Sequence, residues 1–180
     1  MATLAAAGGS DLADVLGAVR TESGVSLLAL AETSPILLVF LRHFGCPFGR
    51  KAIGDVADLW EELMARGVRP VFVHLGAPEL AKHYFDFYGL SDVERVSDPE
   101  AAVYRSPVFA LARTNPWLDL LKPVIWVGWL KGPLFRHGMG KFQGDGTQMP
   151  GIFFLKGPVI VREFRYRTIA DEPDYLQLVA

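Results

Sequence analysis

Two apolar runs, ILLVFLR at 36–42 and RPVFVHL at 69–75, flank a segment whose apolar residues recur mostly at every third or fourth position. Each run is short, continuous and rich in β-forming residues, the pattern of a strand buried on both faces. Between them Phe48, Ala52, Ile53, Val56, Leu59, Trp60 and Leu63 make one stripe of an amphipathic helix over 47–66, ended by Gly67. PELAKHYFDFYG at 78–89 supplies a second helix. Strand, helix, strand, helix in this order is a βαβα unit, and it requires a parallel strand pair.

The remainder of the chain is less regular. Ser10 is placed to cap a first helix after a short tail, so residues 1–9 are expected as a flexible tail and 10–180 as a single domain. ERVSDPEAAVYR predicts a short strand, then a helix begun by Asp98 as N-cap with Pro99 at its first position. Asn115 and Pro116 repeat that start signal for the apolar segment 116–130, which holds three of the four tryptophans, Trp117, Trp126 and Trp129. Glycine-rich 131–151 reads as a loop. IFFLK and VIVREFRY, separated by Gly157 and Pro158, predict an antiparallel hairpin, and DEPDYLQLVA a closing helix.

Composition narrows the function classes. Of the 180 residues, 51% are hydrophobic and 21% charged, the profile of a folded chain. The net charge of −2 offers no electrostatic footprint for nucleic acid. Asp119, Lys122 and Pro123 interrupt the longest apolar stretch, and no transmembrane segment is indicated. A single cysteine forms no internal disulfide, so the fold does not depend on an oxidising compartment, and a cytoplasmic location is expected. His43, His74, His83 and His137 show no metal-ligand spacing with one another or with Cys46, and no metal is expected. GMGKFQGDG fits neither a dinucleotide fingerprint nor a P-loop.

That single cysteine, Cys46, lies where the first strand passes into the helix, with Pro47 preset for the first helical turn. As N-cap it meets unpaired backbone N–H groups and the positive end of the helix dipole, which favour a thiolate over a thiol. Arg50 stands one turn along the helix, while Arg42 and His43 arrive from the strand. All three are expected to add positive charge. Gly49 is unusual in a first turn, and the absence of a side chain there reads either as room above the thiol or as plain drift at a tolerant helix start.

VFLRHFGCPFGRK, GVRPVFVHLG, SDPEAAVYR and GDGTQMPGIFFL, in this order and spacing, resemble the peroxiredoxin-like 2 group of the alkyl hydroperoxide reductase/thiol-specific antioxidant families, over roughly residues 25–180. The resemblance implies a thioredoxin-like three-layer α/β/α fold with a central mixed sheet. Cys46 matches the attacking cysteine. Gly49 takes the place of the resolving cysteine of the usual Cys-x-x-Cys, and His43 the place of a threonine found in ordinary peroxiredoxins. Pro150 matches a proline that is cis and faces the thiol, which would leave the backbone of Met149 open to an extended substrate or thiol cofactor.

The activity so implied is thiol-based redox chemistry, peroxidase or disulfide reductase, with Cys46 as nucleophile and Arg50, Arg42 and His43 assisting. Met149, Pro150, Phe48 and Gly49 are the expected substrate-binding residues. No bound cofactor is expected; an external thiol such as glutathione or a thioredoxin-like protein would resolve the product. Two other readings stand beside it: a thioredoxin-fold binding module that has lost turnover, and a lipid-endoperoxide reductase using 116–130 as its pocket. The same segment, apolar on nearly every side, reads first as buried core and is also a candidate homodimer interface.

Overall fold

A computed structural model of the chain describes residues 9–115 and 145–180, together with Pro123. The 116–130 segment, with its expected pocket or interface, and most of the glycine-rich loop lie outside the described residues. Helix α1 (Gly9–Ala18) and helix α2 (Leu27–Thr33) precede strand β1 (Ile36–Phe40). Helices α3 (Pro47–Asp58) and α4 (Trp60–Ala65) lead to β2 (Arg69–His74), and α5 (Pro78–Phe87) leads to β3 (Glu94–Ser97). The chain closes with β4 (Gly151–Leu155), β5 (Ile160–Arg165) and α6 (Tyr175–Leu178).

The five strands form one mixed sheet in the order β3-β2-β1-β4-β5. β1, β2 and β3 run parallel, as the βαβα reading requires; β4 is antiparallel to β1, and β5 to β4. Leu38 of β1 lies opposite Val71 on one side and Phe153 on the other.

Period-two alternation along the central strands assigns the two cores. Ile36, Leu38, Phe40, Val71, Val73, Phe153 and Leu155 face α1 and α2, joined by Leu16, Leu27, Tyr104 and Phe109. Leu37, Val39, Phe72, Ile152 and Phe154 face α3, α4 and α5 through Ile53, Val56, Leu63 and Phe85. The molecule is therefore three-layered, α/β/α, with the central strands covered on both sides. Each such side chain fully withdrawn from water contributes about 1.5–3 kcal/mol.

Three local expectations change. Helix α1 begins at Gly9, so Ser10 falls within its range and not before it. The predicted 47–66 helix breaks at Leu59 (φ −101°, ψ 5°), and nothing in the sequence marks that break. After β3, Asp98 does accept backbone N–H bonds, from Ala102 (2.9 Å) and Val103 (2.8 Å), yet no helix follows. Ala101 sits at φ +55°, the left-handed region that interrupts a right-handed helix, and a series of turns results. The hairpin closed by Gly157 and Pro158 and the α6 helix, capped by Asp174, stand as predicted.

Candidate active site

β1 delivers the chain to Cys46, which caps α3 in extended conformation (φ −85°, ψ 124°) with Pro47 next to it. Its N–H donates to the His43 carbonyl at 3.0 Å, and its carbonyl accepts from the Arg50 N–H at 3.2 Å. The Cys46 side chain makes no capping hydrogen bond, and the residue is only 6% exposed. The thiol is therefore almost entirely withdrawn from solvent.

The basic residues around it are engaged in specific contacts. Arg50, buried, donates from Nε to the Phe44 carbonyl at 2.7 Å and from Nη2 to the Tyr84 hydroxyl at 3.0 Å. Its guanidinium carbon lies 4.7 Å from the Tyr84 ring centroid. Arg42, also buried, donates from Nη2 to the Gly146 carbonyl and so links the Cys46 segment to the one that leads into β4. His43 departs from expectation. Burial, reinforced by the adjacent Arg42 charge, lowers its pKa to about 4, so the ring is neutral near pH 7 and adds no positive charge there.

Gly49 also reads differently. A Cβ placed on it would come within 3.2 Å of the His43 carbonyl oxygen and 3.4 Å of the Arg42 carbonyl oxygen. The missing side chain allows the first turn of α3 to pack directly against backbone 42–43. Phe48 and Gly49, with Phe40, Leu41, Arg42, Ala52, Pro150, Tyr166 and Ile169, line a narrow and mostly apolar cleft.

The structure brings Pro150 to that cleft and packs Phe48 against Met149 and Ile169. The bond preceding Pro150 is trans, against the cis form implied by the resemblance. Nor is the Met149 backbone open to a substrate. Its N–H donates to the Ala112 carbonyl at 2.9 Å, in a short antiparallel pairing where Thr114 also donates to Thr147 at 2.7 Å. Buried Gln148 reinforces the pairing through Nε2 to the Leu111 and Ala112 carbonyls, at 3.2 and 3.1 Å.

Two residues important to this geometry carry no strong sequence signal. Tyr84 appears in the sequence only as part of the α5 helical stripe, yet its ring stacks on Phe44 at 4.9 Å and 12°. Tyr104, fully buried, has its hydroxyl 2.7 Å from both the Leu41 and Val73 carbonyls, clasping the ends of β1 and β2 beneath the Cys46 turn. Burial and the Asp98 charge hold its pKa well above the usual tyrosine value, so the hydroxyl stays a donor. Among the described residues no group of three or more His, Cys, Asp or Glu side chains is arranged to hold a metal, and no helix is long and apolar enough to cross a membrane.

Residues 55–168 match the family described as AhpC/TSA antioxidant enzyme, a match that begins just beyond Cys46. The fold is similar to that of Xanthomonas campestris peroxiredoxin Q, with a TM-score of 0.56 and 15% identity over 84% of this chain and 81% of that one. It is also similar to peroxidoxin BcpB from Mycobacterium tuberculosis, with a TM-score of 0.55 and 13% identity over 82% and 79% of the two chains. A peroxiredoxin-like protein from Aquifex aeolicus gives a TM-score of 0.54 and 12% identity over 81% and 68%. No curated protein matches the sequence. The structural likenesses establish a shared peroxiredoxin-type, thioredoxin-like fold.

Proposed function

The chain belongs to the AhpC/TSA antioxidant enzyme family, and from that premise we propose that it is a monothiol peroxidase whose nucleophile is Cys46. The observation that carries this reading is the placement of Cys46 as N-cap of α3, in a turn whose preceding carbonyl is held by Arg50. Helix N-termini and nearby cations are the usual means of activating a thiol. In the proposed step the Cys46 thiolate attacks one oxygen of a hydroperoxide: an S–O bond forms, the O–O bond breaks, and the alkoxide or hydroxide leaves and is protonated. Cys46 is oxidised to a sulfenic acid while the peroxide is reduced to an alcohol or water.

With no second cysteine in the chain, and Gly49 in the family's resolving position, the sulfenic acid needs an external thiol. Attack by a small thiol such as glutathione, or by a thioredoxin-like partner, forms an S–S bond and releases water; a second thiol then regenerates Cys46 and carries away the disulfide. No prosthetic group takes part. Arg50 and Arg42 would supply the positive charge of the site, to which His43, neutral near pH 7, adds none. Phe48, Gly49, Met149 and Pro150 would form the wall against which substrate lies, through side-chain and cleft contacts, since the Met149 N–H is already bonded.

The near-complete enclosure of Cys46 supports a second reading, a thioredoxin-fold binding module in which the thiol does not turn over. Measuring peroxide consumption with glutathione as reductant separates the two. Catalytic consumption that disappears in Cys46→Ser is the expected result; consumption equal to the uncatalysed rate would favour the binding module. An apolar peroxide consumed much faster than hydrogen peroxide would redirect the assignment to lipid endoperoxides, for which the cleft beside Phe48 and Ile169 offers an apolar lining.

A further inference from the structure

We infer that Tyr84, on a helix remote in sequence from the thiol, is the positioning residue that orients Arg50 and through it the Cys46 turn; the inference rests on the reading of Cys46 as nucleophile. Arg50 reaches two acceptors on different parts of the chain, the Phe44 carbonyl through Nε and the Tyr84 hydroxyl through Nη2. Because the guanidinium is a rigid planar fork, two such bonds fix its plane as well as its location. Tyr84 also holds Phe44 itself, through the stacked rings at 4.9 Å. That arrangement is possible because Gly76 carries no side chain: a Cβ there would lie 2.7 Å from the Phe44 ring. Arg50, Phe44 and Tyr84 therefore close a triangle two residues ahead of Cys46, and Arg50 is itself bonded to the Cys46 carbonyl through its backbone N–H.

Removing the phenolic oxygen leaves the ring stack intact and takes away one corner of the triangle. The guanidinium then loses one of the bonds that set its plane, and its charge is less closely fixed with respect to the thiol. A lost hydrogen bond to a charged group corresponds to about a tenfold effect, so Tyr84→Phe should slow the reaction of Cys46 with peroxide by about that factor.

A loosened fold would also slow the reaction, so the test compares two alkylating reagents of similar size, iodoacetate and iodoacetamide. Thiolate fraction and access affect both. A nearby, oriented cation accelerates only the anionic reagent. In Tyr84→Phe and in Arg50→Lys, where the ammonium has no fork to bridge both acceptors, the iodoacetate-to-iodoacetamide rate ratio should fall by about five- to tenfold. The double variant should fall no further than Arg50→Lys alone. A ratio within about twofold of the unaltered protein in Tyr84→Phe, or both rates falling in parallel, overturns the inference. Should Tyr84→Phe not fold, Arg50→Lys with the stack retained decides alone, and an unchanged ratio there is equally contrary. If the unaltered protein alkylates with the expected ratio but never reacts with peroxide, the peroxidase reading fails while the positioning of Arg50 stands.

Discussion

The segments 41–46 and 145–150 both run up to the cleft beside α3, and they are fastened by different means. The first is held mainly by side chains from elsewhere: the Tyr104 hydroxyl at the Leu41 carbonyl, and Arg50, itself held by Tyr84, at the Phe44 carbonyl. The second is held by backbone pairing with 112–114, supported by one buried side chain, Gln148. Arg42 joins the two through the Gly146 carbonyl. A segment fixed by a few side chains can have its geometry tuned by single substitutions far from the thiol. One fixed by backbone bonds is insensitive to most substitutions and is closed to a ligand that would use those same N–H groups.

The contrast sets the order of expected effects. Gln148→Ala should cost the most under neutral conditions, about 2–3 kcal/mol, because it takes a donor from the buried Leu111 carbonyl and leaves a void behind. Chemical denaturation measures the loss, and faster amide exchange at Thr114 and Met149 would locate it in the pairing. Stability unchanged by this substitution would break the comparison. Tyr104→Phe should cost about 1–2 kcal/mol by leaving two buried carbonyls without their shared donor. Unlike Gln148→Ala, it should also alter the alkylation rate of Cys46, since the clasp lies at the base of that turn.

Gly49→Ala sharpens the comparison further. The added Cβ gains helix propensity but presses on backbone that has little freedom to give, so a net loss of about 1 kcal/mol is expected. A gain in stability, read in the same denaturation experiment, would show that 42–43 yields easily. A further effect appears only as the pH falls. The folded His43 value of about 4 lies below the roughly 6.5 of an unfolded histidine, so the unfolded chain takes up the proton first. Its contribution to stability is complete above about pH 6.5 and is lost as pH falls toward about 4. Thermal midpoints measured across that interval should fall less steeply in His43→Asn than in the unaltered protein.

Legibility in the sequence followed the same division. The parallel unit, the hairpin and the closing helix were readable because continuous apolar runs, a helical stripe and Gly-Pro punctuation are local signals. The placement of Cys46 at the start of α3 was readable for the same reason, from Pro47 and the strand before it. Long-range contacts were not. No periodicity announces that Met149 pairs with Ala112, or that Tyr84 meets Arg50 across 34 residues. The helix predicted after Asp98 failed although its cap was read correctly, because the left-handed conformation of Ala101 has no marker in its residue type. Gly49 stands out in the sequence as an odd first-turn residue, but its contact with the 42–43 backbone exists only in three dimensions.

The central claim, that Cys46 is a peroxide-reactive nucleophile resolved from outside the chain, is tested most directly by intact-mass analysis of the folded protein after one equivalent of peroxide, with and without glutathione. The account predicts a gain of one oxygen on Cys46 without glutathione, and a single glutathione adduct at the same residue with it. A folded protein whose mass does not change in either condition, while the unfolded chain oxidises readily, would contradict it.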